Sequence, residues 1–163
     1  MRKEEVYQHF NQFIEPHPAE IKEWLTSIDK LLCGNGCKID AKIKDTTAIF
    51  NYSFRKNGKR VCRIFMGADG CKAAPSGHHF AYGEGILAEL PENMLDEMSN
   101  AHQCGGCSTK RPDLVTHSFR YTHKGNPYNV CQHEGFKFSL GNAAERDLIE
   151  KWLELELAAL REN

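Results

Sequence analysis

The chain has 163 residues, 40% of them hydrophobic, and a formal net charge of −1 from 21 basic and 22 acidic side chains. That length supports a single domain over residues 1–163 with a core large enough to stand without covalent staples. The balanced charge provides no global field toward nucleic acid or an anionic membrane, so neither is expected as a partner, and the partner itself stays unknown.

Residues 1–10 contain no apolar run of signal-peptide type, and no segment has the length of a membrane span, so the expected location is the cytoplasm. Val6, Phe10, Phe13 and Ile14 recur at helical spacing over residues 4–14, and Pro16 and Pro18 break that segment. A second helix is predicted from about residue 18 to 32. Its apolar residues Ile21, Trp24, Leu25, Ile28, Leu31 and Leu32 follow the i, i+3, i+4, i+7 pattern, and Gly34 stands where a C-cap belongs.

The middle of the chain is strand-like. Residues 38–43 alternate, residues 46–54 are rich in β-branched and aromatic side chains, and Asn57-Gly58 predicts a tight hairpin turn. The returning strand, residues 60–66, sets Cys62, Ile64 and Met66 on one face and Val61, Arg63 and Phe65 on the other. Residues 67–85 read as a glycine-rich loop with a short strand at 78–82. Leu87, Leu90, Met94, Leu95 and Met98 then predict a short helix that ends before Cys104. Strands at 118–122 and 128–131 form a second hairpin through Lys124-Gly125-Asn126-Pro127, and residues 135–140 alternate with Phe136, Phe138 and Leu140 on one face.

Asn142 can cap the last helix, with Glu145 placed to complete a capping box. Leu148, Ile149, Trp152, Leu153, Leu157 and Leu160 form its apolar stripe, and Glu145, Asp147, Glu150, Glu154 and Glu156 read as its solvated face. Helices at both ends around a run of strands predict an α+β fold, a mostly antiparallel sheet packed by N-terminal and C-terminal helices.

Seven cysteines in a reducing compartment favour metal binding or redox chemistry over a disulfide framework, although free cysteine is also a common small core residue. Two pairs stand out, Cys33-Gly34-Asn35-Gly36-Cys37 and Cys104-Gly105-Gly106-Cys107, each after a predicted helix end. Either spacing lets one turn aim two thiolates at one ion, and the glycines permit the tight bend. Cys33, Cys37, Cys104 and Cys107 are thus a candidate tetrahedral zinc site of structural type. Lys38, Lys110 and Arg111 are near in sequence to offset its charge. Iron or an iron–sulfur cluster fits less well, since the spacing follows neither ferredoxin pattern.

A mixed site is the main variant, using Cys104 and Cys107 with Cys131 or His133. His102 lies two residues before Cys104, and Cys71 precedes His78 and His79. A thiol redox protein using Cys104 and Cys107 is the alternative from another class, but no βαβ unit precedes the pair, and it follows a helix instead of opening one. A third alternative is a small-molecule or partner-binding module with incidental core cysteines. Phosphate-loop, nucleophile-elbow and zinc-protease motifs are absent, and no catalytic base stands out, so enzymatic activity is left open.

Residues 135–159 resemble the ending of small bacterial α+β proteins related to the bacillar frataxin-like iron chaperones. The resemblance is carried by the strand Phe136-Lys137-Phe138-Ser139-Leu140 leading into a closing helix from Glu145 to Leu157. It implies the helix–strands–helix order. The cysteine pairs are no part of that pattern, so an iron-related activity is not carried over.

Overall fold

The structure is a computed structural model that describes residues 2–77, 86–102, 118–131 and 136–162. Lys3–Ile14 forms α1 and Ala19–Gly34 forms α2, followed by strands β1 (Cys37–Lys44), β2 (Thr47–Phe54), β3 (Arg60–Gly67) and β4 (Gly70–Pro75). A 3₁₀ turn at Leu87–Glu89 leads to α3 (Glu92–Ser99). The hairpin β5 (Ser118–His123) and β6 (Asn126–Cys131), the short β7 (Phe138–Ser139) and α4 (Ala143–Glu162) complete the described elements. The fold is α+β. One antiparallel sheet runs in the order β1-β2-β3-β4-β7, and β5-β6 forms a separate two-stranded sheet. Among the described residues, no helix is long and apolar enough to cross a membrane.

Strand alternation divides the large sheet into two faces. Phe50, Tyr52, Ile64, Met66 and Ala73 turn inward against Phe10, Leu25, Ile28, Leu32, Ile149, Trp152 and Leu153, so α1, α2 and α4 cover one side. Phe10 meets Phe50 edge-on at 5.2 Å, and Phe136 and Phe138 lie 5.6 and 6.0 Å from Trp152. Trp152 Nε1 donates to the buried Ser76 carbonyl at 2.8 Å, which ties α4 to the chain leaving β4. Among the described residues no helix packs on the opposite side of β1 to β4, where charged side chains alternate with Ile49 and Phe65.

Several elements differ from the sequence expectation. A strand, β4, lies inside the stretch read as a glycine-rich loop. Its inward residues Cys71 and Ala73 are small, so the alternation is faint, and pairing with β3 supplies what propensity does not. The β2–β3 connection is a five-residue turn, closed by Phe54 N to Lys59 O and Gly58 N to Phe54 O, both 2.8 Å, instead of a two-residue hairpin at Asn57-Gly58. A bulge beside Tyr52 and Ser53 lets Val61 be buried along with Cys62.

Pro91 divides the helix expected from residue 87 onward, leaving the 3₁₀ turn before it and α3 after it. The second hairpin closes through Lys124-Gly125 alone, with φ of 50° and 78°, the conformation of a tight primed turn. Asn142 caps α4 through Oδ1 to Ala144 N at 2.9 Å. The Glu145 carboxylate accepts from Asn93 Nδ2, a tie to α3 that the capping-box reading did not contain. Glu156, assigned to the solvated face, is fully buried. The strand suggested at 78–82 lies outside the described residues.

Candidate functional site

The end of α2 is built to reverse the chain. Asn35 N reaches the carbonyls of Leu31 and Leu32 at 3.1 and 3.2 Å, and its side-chain amide donates to Leu31 O at 2.7 Å. Gly34 is the last helical residue, and Gly36, at φ 90°, takes the left-handed conformation that Gly34 was expected to take. β1 begins at once with Cys37. Arg55 N donates to Gly36 O at 3.0 Å and Arg55 Nε to Cys37 O at 3.3 Å, while Arg161 of α4 donates to Asn35 Oδ1. The turn between Cys33 and Cys37 is therefore clamped by protein hydrogen bonds.

The two thiols of this turn point into different surroundings. Cys37 is fully buried on the inward face of β1. Burial, reinforced by the neighbouring Cys33, pushes its thiol up to about 11, while Arg55 and Arg161 pull the other way. Cys33 is half-buried on the last turn of α2. Its thiol donates to Asp29 Oδ1 at 3.6 Å and meets the Tyr7 hydroxyl at 3.5 Å. Burial raises it chiefly, and the Asp29 carboxylate adds to the rise. The carbonyl end of a helix disfavours negative charge as well. Both thiols are held in the neutral form, the opposite of a reactive redox cysteine.

Asp29 is the centre of a network that the sequence did not reveal. Its Oδ1 also accepts from Tyr52 of β2 at 3.1 Å and from Tyr7 of α1 at 3.4 Å. Three elements thus share one carboxylate oxygen, and burial raises the Tyr52 phenol far above its usual range, with Asp29 adding to it. The i, i+4 spacing of Asp29 and Cys33 on α2 was visible in the sequence; the two tyrosines arrive only through the fold.

Cys104 and Cys107 lie outside the described residues, as do His78, His79 and His133. Their nearest described neighbours do meet. Cys131, buried at the end of β6, donates its N–H to the His102 carbonyl at 2.9 Å. The β5–β6 hairpin is fastened to α3 by Ser99 to Tyr121 at 3.1 Å, and by His123 and Lys124 to Asp96, both at 3.0 Å. Cys131 is also within electrostatic reach of Arg60 and Arg63. Cys62 and Cys71 face the core from β3 and β4; burial pushes each thiol up to about 12, as expected of core-filling residues. Among the described residues no group of three or more His, Cys, Asp or Glu side chains is arranged to hold a metal ion.

A cleft of about 930 Å³ lies between the 3₁₀ turn and the β5–β6 hairpin and is lined by the stacked rings of Tyr121 and Tyr128, 5.4 Å apart. No family model matches the chain, and no similar curated protein or solved structure was found.

Proposed function

We propose that the protein binds one transition metal ion, zinc by the softness of its ligands, and that the ion joins the chain after α3 to the chain after β6. The backbone hydrogen bond from Cys131 N to His102 O, 2.9 Å long, is the observation that carries this reading. It pairs two segments at the point where each enters a run of metal-ligating residue types. Cys104 and Cys107 follow His102 by two and five positions, and His133 follows Cys131 by two. Cys104, Cys107, Cys131 and His133 would make a complete tetrahedral shell, with the role of a structural site.

Cys33, Cys37, Cys104 and Cys107 form the competing shell. The surroundings of its first half favour it less, because both thiols are raised and Cys33 is committed to Asp29 and Tyr7. Ligation would have to outweigh those contacts and deprotonate a thiol at the carbonyl end of α2.

Elemental analysis of protein purified without chelator tests the proposal, with about one equivalent of zinc expected. Less than about a tenth of an equivalent of any transition metal would sink it, because a structural site is loaded as the chain folds. Cys131→Ser and Cys33→Ser separate the two shells. Loss of metal from the first alone supports the mixed site, and loss from the second alone supports the four-thiolate site.

A further inference from the structure

The near-zero total charge conceals a strong separation. On the side of the large sheet away from α1, α2 and α4, the outward residues include Lys38 and Lys42 of β1, Arg60 and Arg63 of β3, Lys72 of β4, and Lys137 just before β7. Among the described strand residues of that side, the only carboxylate is Asp40; Asp69 stands in the β3–β4 turn at one end. With the chain as a whole at −1, the rest of the molecule carries the compensating negative charge. Two shallow grooves of about 500 and 450 Å³ follow this face, one over β1–β2 at Lys38, Lys42, Asn51 and Arg60, the other over β3–β4 at Phe65, Lys72 and Lys137.

Phe65 lines the β3–β4 groove. Its side chain is half-buried on the outward face, although an aromatic side chain in mid-strand usually faces the core. Lys137 Nζ sits 4.3 Å from the ring centroid and the Arg63 guanidinium 5.2 Å from it. Both cations lie over the ring, so a stacking base would take the place of Lys137 there and free its ammonium for a phosphate. An aromatic ring set among cations has the composition of a surface that stacks a base and neutralises the phosphates on either side. An acidic peptide would use the cations but has no group that calls for the ring. Across β1 to β4 the face is roughly 14 Å wide at ordinary strand spacing, wide enough for a single strand to cross.

From this charge complementarity and the ring beside it, we infer that single-stranded nucleic acid docks across the outward face of the β1–β4 sheet. Contact with phosphates falls to the exposed Lys38, Lys42, Lys72 and Lys137, and stacking to Phe65. The stacking and phosphate contacts are sequence-tolerant, because every base offers a π-face and every nucleotide a phosphate. The proposal is independent of the metal ion.

Fluorescence anisotropy of a labelled single-stranded RNA of about 15 nucleotides, titrated with the full chain, tests the assignment. Four phosphate contacts at a slope of about −0.7 each predict a loss of about fifty-fold in affinity between about 50 and 200 mM salt. Lys42→Glu with Lys72→Glu should weaken binding more than about tenfold without lowering the melting temperature, since both side chains are exposed. Phe65→Leu, which keeps an apolar side chain there, should cost about fivefold on RNA and nothing on an abasic strand of equal length. Absence of binding at low salt, equal binding by the lysine double variant, or equal displacement by poly-glutamate would overturn the inference.

Discussion

Replacing Asp29 by alanine removes the one acceptor shared by Tyr52, Tyr7 and Cys33, and the cost can be worked from their exposure. The Tyr52 side chain is 0% exposed, so its hydroxyl, 3.1 Å from Asp29 Oδ1, has no water to turn to. A buried donor stripped of its partner costs about 1–3 kcal/mol. Tyr7 and Cys33 are only half-buried, at 3.4 and 3.6 Å from the same oxygen, and contribute much less. Alanine returns about 0.5 kcal/mol through its better helix propensity within α2. The net expectation is a loss of about 1.5–2 kcal/mol.

Tyr52→Phe deletes the donor and leaves a half-exposed carboxylate that water can serve, so about 1 kcal/mol is expected. The double variant should then be less destabilised than the sum of the singles by about 1 kcal/mol, because once Asp29 is absent the Tyr52 hydroxyl is a liability. Urea unfolding followed by circular dichroism, with an unchanged m-value, measures all three. Additivity within about 0.3 kcal/mol would refute the claim that the pair is coupled in the folded state.

Other consequences follow from the same geometry. Gly36→Ala should destabilise by about 1–3 kcal/mol in a thermal melt. The residue sits at φ 90°, and a Cβ would stand 3.3 Å from the Phe54 ring; an unchanged melting temperature would mean that the turn relaxes freely. In native protein at pH 8, alkylation mapped by mass spectrometry should mark Cys33 well before Cys37, Cys62 and Cys71, whose thiols lie at about 11, 12 and 12 and whose side chains are buried. Labelling of Cys37 ahead of Cys33 would contradict the described environments.

Asp96 is held below its usual value by the His123 and Lys124 hydrogen bonds. A lowered folded value means that its contribution is present above about pH 4, the unfolded value, and is lost as pH falls through the lower folded one. Asp96→Asn should therefore flatten the acid limb of stability against pH, and an unaltered limb would count against these contacts.

The apolar periods of residues 4–14, 18–32 and 143–160 fixed where α1, α2 and α4 form and which stripe each one buries. The alternation of residues 60–66 separated Cys62, Ile64 and Met66 from Arg63 and Phe65, and the bulge alone moved Val61 out of that pattern. These are local properties: a helix or strand with one apolar side has only one way to hide it. β4 escaped notice because an inward Cys71 and Ala73 bury too little area to signal a strand until β3 is beside them. Glu156 escaped for the converse reason, since its place on α4 is decided by what packs around the helix and not by its own polarity.

The candidate chemistry divides in the same way. Cysteine spacing by itself marked two glycine-spaced pairs of thiols as candidates for a shared ion, and placed the helix-ending glycine at Gly34 where the structure uses Gly36. Only the tertiary structure decided that Cys33 faces a carboxylate and Cys37 the core, and that Cys131 pairs with His102 across 29 positions of chain. It also decided that a chain of nearly zero net charge sets Lys38, Lys42, Lys72 and Lys137 on one side of a sheet. Composition adds charges without regard to place, whereas a pleated sheet sorts alternate residues onto opposite faces, and only strand pairing determines which of those residues become neighbours.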